Sequence, residues 1–212
     1  MPRLDPTLIG FFLALALVSP LANAESRGTY YVFQMDPRGN EAFDDSGWGF
    51  GAKTAIPLVS SREKIKLTAG FDMGTLESTI GNVTQPTGVG TTQDYQRIFA
   101  GADVGRKLDA RIRPHLGVHL VLLRQDEKTH FIDVSTGEFY VGFSDSSTRL
   151  TYDLSAGLGL GITAKTGLDA GARYMNGFRL TVTDTDGSVR TTRSDYIQFY
   201  FGVTHRFAWP EQ

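Results

Sequence analysis

Apolar and polar side chains trade places at every second position along most of this chain, near residues 28–35, 47–58, 64–75, 95–105, 111–123, 150–163, 168–180 and 189–207. A period of two belongs to strands whose faces meet different surroundings, and no helical period of comparable length competes with it. Eight segments are an even number, which an antiparallel sheet needs to close with both ends on one side. The expected fold is all-β: an eight-stranded antiparallel up-and-down β-barrel. Residues 130–143, HFIDVSTGEFYVGF, alternate weakly around Ser135-Thr136-Gly137. They read as a ribbon within a long loop, although one more hairpin keeps the count even and makes ten strands.

Connection lengths carry independent information. Residues 36–46, 76–94, 124–149 and the polar arm 181–188 are long, whereas 59–63, 106–110 and 164–167 are short. Long loops at one end and short turns at the other mark a barrel crossing the bacterial outer membrane, with the long loops outside and the turns in the periplasm. A soluble barrel has no physical reason to sort its loops this way.

Parity divides the segments into two faces. One is almost wholly apolar: Tyr31, Phe33 and Met35, then Trp48 and Phe50, and onward through Leu67, Phe71, Ile98, Leu116, Leu120, Tyr152, Leu158, Tyr174, Phe199, Phe201 and Phe207, interrupted by His205. The other alternates glycines with charge: Lys53, Lys66, Asp72, Arg97, Asp103, Arg113, His115, His119, Asp153, Asp169, Arg173 and Arg206. Phe99, Val121 and Leu123 are apolar exceptions on it.

Parity alone does not say which face points inward, and a lipocalin-like soluble carrier would hold the apolar set inside. Three observations favour a charged interior. Eight strands leave room for little beyond their own side chains, so glycines among long ionic residues suit the inside. Both signs of charge are present there, as buried ions require. Aromatics gather near the strand ends (Tyr31, Trp48, Tyr152, Tyr174, Phe207, with Trp209 just beyond), where an interfacial girdle sits.

The first 24 residues read as a cleaved signal peptide: Arg3, an apolar run from Leu8 to Val18, and Ala22-Asn23-Ala24 before Glu25. Residues 25–212 then form one barrel domain. The chain has no cysteine, which excludes disulfides, thiol chemistry and a lipidated N-terminal cysteine. A formal net charge of −2 argues against a nucleic-acid partner.

With the signal peptide, GWGFGAKTAIPL at 47–58, LSAGLGLGITAKTGLDAGARY at 154–174 and the aromatic closing strand YIQFYFGVTHRF at 196–207, the chain resembles the small outer-membrane β-barrel family of the OmpA-domain and OmpX-like kind. The resemblance covers the whole mature chain and implies an outer-membrane location, lipid contact, a monomer, and engagement of the barrel-insertion machinery through the C-terminal strand. Five residues, AWPEQ, follow Phe207.

Four constellations invite a chemical reading. GLGITAKT at 159–166 misses the phosphate-binding pattern G-x-x-x-x-G-K-[ST] only at Ala164, but LDAGARY after it resumes period two instead of a helix. His115 and His119 share a face, yet four strand residues separate them by about 13 Å, too far for one metal ion. A lipid-A-modifying enzyme would use a Ser or His with an acid at the outer rim; His205 faces lipid but lies toward the periplasmic end of its strand, the wrong leaflet, which leaves His130, Asp133 and Ser135 in the third loop. Loops 76–94 and 124–149 are where a surface ligand of unknown identity would bind. The expectation is a non-enzymatic structural or adhesive barrel without cofactor or metal, its lumen plugged by ion pairs, with a small-solute channel as the alternative and the enzyme third.

Overall fold

The computed structural model describes residues 26–38, 47–58, 64–80, 89–106, 110–132, 136, 139–183 and 189–207. Among them eight strands follow one another: β1 (Ser26–Arg38), β2 (Gly47–Pro57), β3 (Ile65–Ile80), β4 (Val89–Gly105), β5 (Ile112–Ile132), β6 (Phe139–Gly161), β7 (Thr166–Thr183) and β8 (Val189–Phe207). Each pairs antiparallel with its sequence neighbours, and β1 pairs with β8 from Ser26↔Phe207 to Arg38↔Asp195, closing the barrel. Closure leaves no sheet edge around the girth, as a hydrocarbon surrounding demands of backbone N–H and C=O groups.

The outer wall is apolar. On β5, Ile112, Leu116, Val118, Leu120 and Leu122 are all exposed, followed outward by the Arg124–Asp126 ion pair. Ten residues of strand rise about 33 Å, and a tilt of about 40° reduces that to about 25 Å of height, the apolar band of a membrane barrel. Trp48, Phe50, Leu150, Leu154, Phe199, Phe201 and Val203 continue the band around the wall.

The first strand departs from its expected orientation. Tyr31, Phe33 and Met35 point into the barrel, at 3%, 1% and 0% exposure, while Tyr30 (64%) and Val32 (56%) face out. Tyr31 is therefore no girdle residue. The sequence TYYVFQM is apolar on both faces, so alternation carries no contrast there. The pairing with β2 decides: Tyr31, Phe33 and Met35 lie opposite Gly51, Gly49 and Gly47, which make room for them inside. A Cβ on Gly51 would stand 2.6 Å from Tyr31 Cζ.

The strands also run well past the apolar band into stretches expected as loops. β3 and β4 remain paired to Ile80↔Val89, and β5 and β6 to Ile132↔Phe139 with one register shift at Thr129/His130. Residues 130–132 and 139–143 thus continue the β5 and β6 ladder, and the described residues form eight strands. The physical reason is that beyond the apolar band the outward residues turn polar while inward ones such as Gln93, Gln125 and Glu127 are polar and buried, so the backbone ladder persists without hydrophobic alternation to announce it. β6 and β7, by contrast, pair only from Gly161↔Gly167 to Asp153↔Met175.

At the opposite end the turns are short. Ile162 N and Thr163 N donate to Thr166 O, both at 3.0 Å, and the Thr163 hydroxyl accepts from Lys165 N and Thr166 N at 3.2 and 2.9 Å. This side-chain cap turns the glycine-rich β6 directly into β7, so the amides of GLGITAKT serve a strand and a turn and do not converge on phosphate.

Candidate functional site in the barrel lumen

The inward residues stack in three tiers. The middle tier is ionic. Asp72 on β3 accepts from Arg173 Nη1 at 2.9 Å and from the Tyr31 hydroxyl at 3.0 Å, and forms an ion pair with Arg97 Nε at 3.0 Å. Asp153 on β6 faces the same two guanidinium groups, Arg97 Nη2 at 3.1 Å and Arg173 Nε at 3.7 Å, and takes His119 Nδ1 at 2.6 Å. All four ionic side chains are at most 1% exposed. Two carboxylates and two guanidiniums brought together from β3, β4, β6 and β7 balance one another's charge across the lumen, with Arg97 Nε and Nη2 and Arg173 Nε making ion-pair contacts without hydrogen bonds.

Aromatic faces complete the tier. The Arg173 guanidinium lies 4.7 Å from the Phe99 ring centre and 5.6 Å from that of Tyr200, and Arg97 lies 5.1 Å from Phe99. Gln198 accepts from Arg173 Nη1 at 2.7 Å, and Arg97 also contacts the Met175 sulfur. A guanidinium plane suits this stacking while its edge stays hydrogen-bonded.

Toward the long-strand end an apolar tier follows. Phe33, Met35, Leu76, Tyr95, Val121, Leu123, Met175 and Tyr196 form one buried cluster with the aromatics below it. Tyr31 and Tyr200 pack at 5.6 Å between ring centres, and Phe33 and Tyr95 at 6.2 Å. Parity placed Phe99, Val121, Leu123, Tyr196 and Tyr200 of this inner core on the inward face, but put Tyr31, Phe33 and Met35 on the other. The signal was the register of glycines: large residues of one strand opposite glycines of the next.

Toward the short turns the third tier is cationic and less tightly filled. Lys53 Nζ lies 3.7 Å from Asp169 and 3.4 Å from the Tyr200 hydroxyl, and His115 Nε2 lies 3.1 Å from that hydroxyl. Asp103 accepts from the Thr68 hydroxyl at 2.8 Å and is 3.1 Å from His119 Nε2. Lys66 donates to Arg106 O at 2.7 Å, Arg113 Nη1 to Ala110 O at 2.9 Å, and Arg27 to the Thr204 hydroxyl at 3.1 Å.

The sequence-derived lumen residues Lys53, Lys66, Asp72, Arg97, Asp103, Arg113, His115, His119, Asp153, Asp169 and Arg173 are all buried, whereas Arg206 is half-exposed at the short-turn end, opposite Arg27 in register. His115 and His119 face different partners in different tiers. No cluster of three or more metal-ligating side chains occurs among the described residues. Of the expected girdle, Trp48, Tyr152 and Phe207 are exposed and Tyr174 is half-exposed, its hydroxyl donating to Asp195 at 2.5 Å. His205 is half-exposed on the outer wall, edge to face with Phe207 at 5.0 Å. The expected signal peptide at 1–24, Trp209, the His130 side chain, Asp133 and Ser135 lie outside the described residues.

Solved structures share this architecture. The outer membrane protein OprG from Pseudomonas aeruginosa matches over 88% of this chain and 97% of its own, with a TM-score of 0.58 at 10% identity. The Neisserial surface protein A, NspA, matches over 88% of this chain and 98% of its own, with a TM-score of 0.50 at 16% identity. The fold is that of the small eight-stranded outer-membrane barrels. Identities this low speak for the fold alone. No protein-family model matches the sequence, and no curated protein does.

Proposed function

We propose that this chain is an integral protein of the bacterial outer membrane, closed to solute flow, with a structural or surface-binding role exercised by the long-strand end. One observation carries the reading: the barrel is apolar outside and filled through its middle by paired charges and an apolar cluster, inverting the arrangement of a soluble barrel. An apolar wall about 25 Å tall has no use in water. A middle tier in which four ionic side chains are nearly inaccessible, capped by an apolar cluster, leaves no aqueous path through an eight-stranded interior. Catalysis has no support from the described lumen, where the histidines and carboxylates face one another inside a filled interior.

The long-strand end, where β3 to β6 continue past the apolar band, is assigned to the outside, and the short turns to the periplasm. Since the chain has no cysteine, single cysteines report topology cleanly. Ser146→Cys is expected to react with an impermeant maleimide on intact cells and Lys165→Cys only after the envelope is opened. The reverse pattern overturns the orientation, and recovery of the protein in the soluble fraction overturns the membrane assignment. Steady single-channel current from the wild-type barrel in a planar bilayer would replace the closed lumen with a pore.

A further inference from the structure

We propose that the rim built by the short turns binds the headgroups of anionic phospholipids in the leaflet it faces. The chain divides its charge between the two ends of the barrel. Residues 36–46, 77–95, 124–149 and 179–195, at the long-strand end, hold fourteen carboxylates and seven Lys or Arg. The three short turns, 59–64, 106–111 and 162–165, hold two carboxylates and six Lys or Arg. Arg206, Glu25 and Glu211, next to the strand ends in sequence, leave that balance positive. Among the described residues of the turns, every exposed ionisable side chain is a cation: Lys64, Arg106, Arg111 and Lys165.

Their depth is set by the apolar wall. Lys64 precedes Ile65, Arg111 precedes Ile112, Arg106 lies two residues past Val104 and Lys165 three past Ile162, and all four of these apolar side chains are exposed on the outer wall. At about 3.3 Å per residue the charges stand within about 10 Å of the last lipid-facing side chains, where the headgroup layer lies. The backbone holds them there. Gly105 N donates to Lys64 O at 2.8 Å, Arg106 N to Pro114 O at 3.3 Å, Gly161 N to Arg111 O at 2.7 Å and Arg206 N to Lys165 O at 2.7 Å. From inside the lumen, Lys66 Nζ donates to Arg106 O and Arg113 Nη1 to Ala110 O, tying down the turn that carries Arg106 and Arg111.

Long cationic side chains rooted at the edge of an apolar wall lay their stems on that wall and carry their charge to the phosphate level. A phosphodiester accepts from ammonium and guanidinium donors, and it separates like charges such as Lys64 and Arg106, which neighbouring strands bring close together. The four cations are spread from the start of β3 to the start of β7, so no single flat partner covers them. A shell of lipids does, each bringing one phosphate to one stretch of rim. The inference rests on the membrane reading above, while the orientation of the barrel decides only which leaflet supplies the lipid.

The test is the lipid selectivity of the full barrel in phosphatidylcholine vesicles, read by electron spin resonance of spin-labelled phosphatidylglycerol against spin-labelled phosphatidylcholine. Phosphatidylglycerol is expected to enter the boundary shell with an association constant higher by up to about fivefold, the factor for one Lys or Arg at a charged membrane surface. The preference falls away in about 1 M salt, where the screening length is about 3 Å. It is lost when Lys64→Gln, Arg106→Gln, Arg111→Gln and Lys165→Gln are combined, and kept in Arg106→Lys with Arg111→Lys. Heat-modifiable migration checks that the variants fold, and Arg106→Gln with Arg111→Gln alone reads a partial loss if the fourfold variant does not. Equal association of the two lipids with the wild-type barrel, or a preference undiminished in the folded glutamine variants, overturns the inference. Retention on immobilised polyglutamate without lipid preference assigns the rim to a soluble acidic partner and overturns it as well. A barrel that stays in the vesicles without preference keeps the membrane reading, whereas one that never enters them loses both.

Discussion

Replacing Asp72 by alanine removes the carboxylate that pairs with two buried guanidiniums and accepts hydrogen bonds from Arg173 and Tyr31, and the consequence follows from the geometry. Arg97 Nε at 3.0 Å, Arg173 Nη1 at 2.9 Å and the Tyr31 hydroxyl at 3.0 Å lose their partner together. Breaking a buried ion pair by deleting one member costs about 3 to 5 kcal/mol, because the survivor stays desolvated. Here both arginines keep Asp153, at 3.1 and 3.7 Å, which sets the ionic loss near the lower limit, about 3 kcal/mol. The stranded Tyr31 hydroxyl adds about 1 kcal/mol. Asp72→Ala should therefore destabilise the barrel by about 4 kcal/mol, read as a shift in its reversible unfolding curve in urea and lipid vesicles. Asp72→Leu combined with Arg97→Met removes one charge of each sign and should recover at least half of that loss, since apolar substitutes of similar volume avoid the desolvation cost. A single-variant loss under about 1 kcal/mol, with no recovery in the double variant, would mean that water already solvates the middle tier. The closed lumen would then be wrong.

Two further substitutions probe the wall and its packing. Leu116→Arg, at an outward position 66% exposed within the apolar band, should cost about 2 to 4 kcal/mol in the same assay, whereas Ser146→Arg beyond the band should cost less than about 1; equal effects would displace the membrane boundary. Gly51→Ala places a Cβ 2.6 Å from both Tyr31 Cζ and Asp72 Cβ and should destabilise by about 1 to 3 kcal/mol, partly relieved by Tyr31→Leu. A neutral Gly51→Ala would show that β1 does not press its aromatics against β2.

What the sequence disclosed depended on contrast between the two faces of each strand. On β5, where Leu116, Val118 and Leu120 alternate with Gly117 and His119, parity assigns both faces, and Arg97, Asp153 and Arg173 fall inside by the same logic. On β1 the contrast vanishes, because Tyr30 and Tyr31 or Val32 and Phe33 are equally apolar, and orientation is carried by partners distant in sequence. Tyr31 lies between Gly51 on β2 and Gly202 on β8, so its direction is a property of three strands together. The same limit hid the strand extensions: just past Arg124 on β5 and Ser147 on β6, over residues 125–129 and 144–146, both faces are polar, yet the backbone ladder continues. Local patterning thus reports the solvent on each side of a strand, and neither the length of the ladder nor the layer that fills the lumen. That distinction explains why the charged residues, and the apolar Phe99, Val121, Leu123, Tyr196 and Tyr200 that share their parity, fall inside by pattern while Tyr31, Phe33 and Met35 do not. A charge inside a membrane barrel is legible because lipid forbids it outside, but an aromatic is allowed on either side. Only the glycine opposite it, leaving space inward, tells which side it takes.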